Sequence, residues 1–342
     1  MIDERQNAMC PCESGKPYLK CCFPCHLDDS RKNRAIEEIE KLKKKMSGMN
    51  FASLEEANAF LRRQYEKINS APQEDFLGLS RDQVYQIMNF SFPPLSDLVV
   101  FRTDFLPESL AGIPVVRDSI FFLGQMAEAG PLKATASGYL PPEFARRLFD
   151  KIDRSPVKPI IKFRSEADSQ TVEVLRLLLT WGKWIKKEKG RFRLTWKGQR
   201  VVEDGFSGEE YFDLMSTYIR NFNWASIDGF AEYDIIQRAT VFSLYLLKKK
   251  AASYTKSYSL SPYFIRAFPL VLRDAPRREW MDEFSDIDRC WTLRFLERFC
   301  LSFGLIEIQG DSPGPLDLTI TLKTTPVFDR LFGWRTGYPG VH

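Results

Sequence analysis

The sequence predicts a mainly α-helical protein with short β-hairpins, preceded by a small metal-held knuckle. Three observations predict it. Four of the seven cysteines crowd into residues 10–22, "CPCESGKPYLKCC". From residue 80 onward, apolar runs at helical spacing alternate with short extended segments broken by glycine. At 342 residues, 44% apolar and 13% aromatic, the chain has material for real cores, which sets it apart from disordered sequences.

The cysteines come first in the chain. The opening residues MIDERQNAM are charged rather than apolar, unlike a secretory signal, so the expected setting is cytoplasmic, where thiols stay reduced. A redox site would show Cys-x-x-Cys, whereas here Cys-x-Cys is followed by an adjacent pair. Four soft thiolates around one tetrahedral centre select zinc ahead of an iron–sulfur centre or copper(I). Cys10, Cys12, Cys21 and Cys22 are the expected ligands, with Cys25 or His26 as alternatives to Cys22 in the fourth position. Ser14-Gly15 supplies the turn between ligand pairs. So short a segment has almost no core, so the Zn2+ would be structural, about one per chain.

This stretch resembles the SEC-C motif, a zinc knuckle known best from the C-terminal tail of the bacterial preprotein-translocation ATPase. Cys10, Pro11, Cys12, Ser14, Gly15, Lys16, Tyr18, Cys21 and Cys22 match; Glu13 departs, standing where the family usually has glycine. The likeness covers residues 9–23. It implies an attachment module in a bacterial protein, with Lys16, Tyr18 and Lys20 available to a protein partner.

Other chemistry is poorly provided for. The only histidines are His26 and His342, neither among partners spaced for catalysis. The segment "ESGKPY" lacks the earlier glycine and the hydroxyl after lysine that a phosphate loop needs, and no Gly-x-Gly-x-x-Gly occurs. No apolar run is long enough for a membrane span. The expectation is a non-enzymatic protein with no small-molecule substrate. Cys290 and Cys300, in "CWTLRFLERFC", would lie about 80° apart on a helix and roughly 15 Å along it. They are expected to be buried core thiols.

Behind the knuckle (1–27), a charged helical connection spans 28–79. Ile36, Ile39, Leu42 and Met46 recur at helical spacing. A second helix opens with a capping box, Ser53 with Glu56, and runs to about Ile68. "SAPQED" then breaks the chain.

The rest shows a repeated pattern: an apolar helix ending at glycine, an extended segment, then a threonine opening another helix. The copies are "SIFFLGQMAEAGPLKATASGYLPPEFARRLF", "TVEVLRLLLTWGKWIKKEKGRFRLTWKGQRVV" and the looser "TLRFLERFCLSFGLIEIQGDSPGPLDLTITLKTTPVFDRLF". Thr135, Thr195 and Thr321 are the expected openers. Gly190 marks one hairpin turn, "GDSPGP" another, and alternation puts Phe192 and Leu194 opposite Arg191 and Arg193. The pattern resembles the tail end of winged-helix units. The expected division is therefore 80–155 and 156–207 as two such units, 208–275 as a helical region, and 276–342 as a third unit. The aromatics Phe206, Tyr211, Phe212, Tyr218, Phe222 and Trp224, in the stretch between the second and third copies, read as core.

Charge singles out one segment. Residues 183–200 hold eight basic side chains against one acid, Glu188, while the whole chain carries only +4, so everything outside this segment is net acidic. Lys186, Lys187, Lys189, Arg191 and Arg193 are candidate phosphate contacts, and Trp184, Phe192 and Trp196 candidate stacking surfaces. The preceding helix is ill suited to reading bases, since among its apolar residues only Arg176 offers the polar group a base edge needs. The leading expectation is a cytoplasmic zinc-binding adaptor that contacts a protein through its knuckle. The alternative is a nucleic-acid-binding winged-helix protein with a regulatory role, acting through the basic hairpin at 183–200.

Overall fold

A computed structural model describes residues 36–88, 92–94, 96–155, 158–276, 282–310 and 319–335. The chain is mainly helical with small antiparallel sheets. The first two helices are α1 (36–47) and α2 (Leu54–Ser70). Ser53 caps α2 by accepting from Glu56 N at 3.1 Å, but the Glu56 carboxylate returns to Ala52 N, at 2.7 Å, one residue before the expected box partner. Of the α1 stripe only Leu42 is buried. The Arg81 guanidinium, bidentate to Glu38 at 2.9 and 3.1 Å, ties α1 to α3 (Arg81–Ile87).

Beyond a short strand β1 (Val99–Phe101) and the turn of helix α4 (Pro107–Leu110), the chain folds twice in one order. In the first unit α5 (Pro114–Ala129) leads to β2 (Leu132–Lys133), α6 (Pro142–Ile152) and α7 (Gln170–Trp181). The hairpin β3 (Ile185–Glu188) and β4 (Arg191–Leu194) then precedes α8 (Trp196–Asp204). The sheet order is β2-β4-β3, with Leu132 opposite Phe192. This pairing crosses the division expected after residue 155: the first two sequence copies are the front and back halves of one unit.

The second unit repeats the order after a short helix α10 (Asp234–Arg238). Its members are α11 (Thr240–Lys250), β5 (Thr255–Lys256), α12 (Ser261–Ala267) and α13 (Glu283–Trp291), which runs on as a π-helix over Thr292–Leu301. The hairpin β6 (Ile306–Ile308) and β7 (Thr321–Thr324) and helix α14 (Pro326–Leu331) complete it. The sheet order β5-β7-β6 matches the first unit's. Residues 240–275, expected to be a separate helical region, thus supply the second unit's first strand and first two helices. The distal part of the expected "GDSPGP" tip lies outside the described residues.

Two of the three expected threonine openers are corrected. The Thr135 hydroxyl accepts from Tyr139 N at 3.0 Å in a turn, and α6 starts instead at Pro142, whose ring presets the helical φ. Thr321 lies within β7, and the cap is Thr325, which accepts from Phe328 N at 3.2 Å. Thr195 caps α8 as expected, accepting from Gly198 N at 3.1 Å. The two true caps play one role: the Thr195 hydroxyl donates to Lys183 O and the Thr325 hydroxyl to Gly304 O, both at 2.6 Å, stapling each following helix to the start of its hairpin.

Helix α9 (Gly208–Asn221) lies between the units, with α7 packed against it. The Tyr211 hydroxyl donates to Phe303 O at 2.5 Å, and the Tyr218 ring stacks on Phe299 with centroids 5.8 Å apart. The aromatics of this region are core as expected, Phe212 being half-buried. Val115 N donates to Ser302 O at 2.9 Å, and β1 pairs antiparallel with β8 (Phe332–Trp334). Cys290 and Cys300 are fully buried, which pushes both thiols up and keeps them inert. The π-helix between them widens the turn on which their expected angular separation rested.

Candidate nucleic-acid interface

The basic hairpin is held rigidly at its base and bare at its tip. Gly190 takes φ +71° and Lys189 φ +48°, the left-handed pair of a two-residue turn, where glycine is cheap and lysine is not. Trp184 N–H donates to Leu179 O at 2.9 Å and Thr195 N–H to Trp184 O at 3.0 Å, joining helix, hairpin and following helix. A methyl group at Gly198 would lie 2.1 Å from Trp184 O, so only glycine lets α8 approach this closely.

Alternation then sorts the side chains. On the inner face Ile185 and Phe192 are buried and Leu194 is half-buried. The Lys187 ammonium lies 5.7 Å from the Phe192 ring centroid and 3.4 Å from Gly138 O, so it folds over that face. Lys186, Glu188, Arg191 and Arg193 share the outer face, all exposed. Lys186 stands opposite Arg193 in register and Glu188 opposite Arg191. Glu188 pairs with Lys186 at 3.2 Å. Among the described residues no carboxylate pairs with Lys189, Arg191 or Arg193.

The basic residues nearer α8 are already engaged. Lys197 binds Asp213 at 2.9 Å and Gly182 O at 3.2 Å, with its ammonium 3.8 Å from the Trp184 ring centroid. Arg200 donates to Glu210 at 2.6 Å. Among the described residues the uncompensated charge on the outer face and turn therefore falls on Lys189, Arg191 and Arg193, while Lys183 at the hairpin's base and Lys187 over the inner face also lack a carboxylate.

Two expected stacking contacts are overturned, and Arg176 is not on the outer face expected of it. Trp184 and Phe192 are 0% and 1% exposed, so neither can stack on a base; only Trp196, 77% exposed, remains. Arg176, expected on the outer face of its helix, is buried and donates to the Glu166 carboxylate. Glu166 also accepts from Leu140 N at 2.8 Å, and burial holds its carboxyl above the usual range against the pull of those two donors. With α6 and α9 packed on it, α7 presents no base-reading face. The third helix of the second unit is closed as well: over Thr292–Leu301 every side chain is buried or half-buried. Arg294 there binds Asp228 at 2.6 and 2.9 Å, and Arg298 binds the same carboxylate at 2.7 Å.

What the sequence reading missed is the pair Trp196–Arg200. The guanidinium lies 5.3 Å from the ring centroid, and the only local signal is their spacing of four on a helix. The expected zinc ligands Cys10, Cys12, Cys21 and Cys22, the alternatives Cys25 and His26, and the partner contacts Lys16, Tyr18 and Lys20 all lie outside the described residues. Among the described residues no group of His, Cys, Asp and Glu is placed to hold a metal, and no helix is long and apolar enough to cross a membrane. Apart from the hairpin, a concavity of about 680 Å³ is lined in part by Arg220, Asn223, Glu232, Asp234 and Gln237, the last with its amide committed to Ile219 O and Phe222 O. The chain matches no family model, no curated protein and no solved structure.

Proposed function

We propose that this is a non-enzymatic binding protein that grips a nucleic-acid backbone on its first hairpin without reading base sequence. One observation carries the reading: Lys186 and Arg193 face each other across the exposed hairpin as like charges, and among the described residues Arg193 has no carboxylate partner. Directly opposed like charges cost stability. A polyanion would turn that cost into attraction by releasing counterions. The buried third helices argue for phosphate contacts over base contacts. The shared strand orders β2-β4-β3 and β5-β7-β6 support a winged-helix-like reading of both units.

The N-terminal cysteines add a second reading in the same molecule. Cys10, Cys12, Cys21 and Cys22 form a donor set suited to Zn2+, which would hold the knuckle folded as a protein-contact module of a bacterial cytoplasmic adaptor.

Salt titration of the intact protein against duplex and single-stranded oligonucleotides tests the first reading. Binding should fall steeply between 50 and 200 mM salt, and removing Arg191 and Arg193 should flatten the log–log slope by about two. Absence of binding at low salt would sink it and leave the adaptor reading in front.

A further inference from the structure

Trp196 is the first residue of α8 and the largest side chain left in water beside the hairpin, 77% exposed. An indole so placed forgoes the burial that makes tryptophan valuable to a core. Yet it is not loose. The Arg200 guanidinium, one helical turn on, lies 5.3 Å from its ring centroid and is fixed by a 2.6 Å bond to Glu210. Glu210 is itself buried and locked by the capping box it forms with Ser207. One face of the ring is thus backed by an anchored cation, while the exposure shows that the rest meets solvent.

The platform adjoins the unpaired charges. Thr195 is extended, with φ −91° and ψ 175°, so Trp196 follows Arg193 along the chain at a distance of about 10 Å. The bonds from the Thr195 hydroxyl to Lys183 O and from Lys197 to Gly182 O bring the backbone of 181–183 alongside 195–197. Trp181, 40% exposed, and Lys183, exposed, therefore border the same base of the hairpin.

Resting on the hairpin reading above, we infer that the nucleic acid held is single-stranded, with a base stacked on the open face of Trp196 and neighbouring phosphates on Lys189, Arg191 and Arg193. A duplex keeps its bases stacked on one another and could use only the charges. An unpaired strand offers π-faces as well, and each stacked base contributes measurably whatever its identity.

The test uses the full protein with fluorescent oligodeoxythymidine, oligouridine and a duplex of equal length, at fixed low salt. Either single strand should bind more tightly than the duplex. Trp196→Ala should weaken single-strand binding roughly 5- to 150-fold while leaving duplex binding and the salt slope unchanged. Trp196→Phe, which keeps a ring, should restore most of the loss. Equal affinity for duplex and single strands, or an unaltered Trp196→Ala variant, would overturn the inference and leave the charged hairpin standing. No binding to any probe would overturn both.

Discussion

The two hairpins have the same register and opposite electrical logic. In the first, Lys186 faces Arg193; in the second, the matching position pairs Glu307 with Lys323, and the two meet at 3.0 Å. Glu307 also accepts from the Tyr254 hydroxyl at 2.6 Å, while the Lys323 ammonium lies 4.8 Å from the Tyr254 ring centroid. Among the described residues, the facing charges of the second hairpin satisfy each other, whereas the first leaves Arg193 without a carboxylate. One backbone pattern thus serves as closed scaffold in one unit and open cationic surface in the other. The difference rests on side chains rather than strand order.

The comparison breaks most violently at the third helices. Arg176 meets Glu166 one to one, whereas Asp228 serves Arg294 and Arg298 together, and Arg294 also donates to Glu232 O and Ala231 O. Replacing Asp228 with Ala strands two guanidiniums, one of them 1% exposed, and should destabilise the protein by about 3–5 kcal/mol in urea unfolding. A loss under about 1 kcal/mol would show that the carbonyl acceptors suffice without the carboxylate.

A middle-sized effect converts one hairpin into the other. Lys186→Glu gives the first hairpin the ion pair of the second. The new pair with Arg193 is offset by the loss of the Lys186–Glu188 contact, so stability should change by less than about 0.5 kcal/mol, while nucleic-acid affinity falls and the salt slope drops by about one. Unchanged affinity would locate the binding surface elsewhere.

The smallest effect is a pH dependence confined to the second hairpin. The hydrogen bond from Tyr254, then that from Lys323, holds the Glu307 carboxyl below the usual glutamate range. A carboxyl depressed in the folded state supports the hairpin fully above its ordinary pKa of about 4.3 and loses that support as pH falls through the lower folded value. Protection of the β6 and β7 amides, corrected for the intrinsic pH dependence of exchange, should therefore fall below about pH 4, with no matching change in β3 and β4.

Sequence and structure agree where local chemistry decides. The hairpin at 183–194 is readable because Gly190 punctuates it and alternation separates Phe192 from Arg191 and Arg193; Thr195 is readable as a cap from its place before a helix. Thr135 misleads because its spacing to Gly138 imitates that of Thr195 to Gly198, yet its hydroxyl closes a turn. The unit boundary is illegible because β2 is two residues long and its partner lies far along the chain. No local pattern specifies such a pairing. Without it Trp184 and Phe192 look like exposed stacking residues; with it they are floor. Arg176 deceives likewise, since a lone arginine among leucines gives no sign that Glu166 waits beneath it.

The clasp between β1 and β8 sets the order in which the body can be finished during synthesis. Phe101 packs on Phe332 at 5.2 Å and on Phe212 at 5.1 Å, so one wall of its pocket is the last described strand to leave the ribosome. Until residues 332–334 emerge, β1 carries an open edge and Phe101 lacks one of its aromatic neighbours. That interval is when a neighbouring nascent chain can pair with the edge in place of β8. A transcript truncated just before Phe332 would make the exposure permanent.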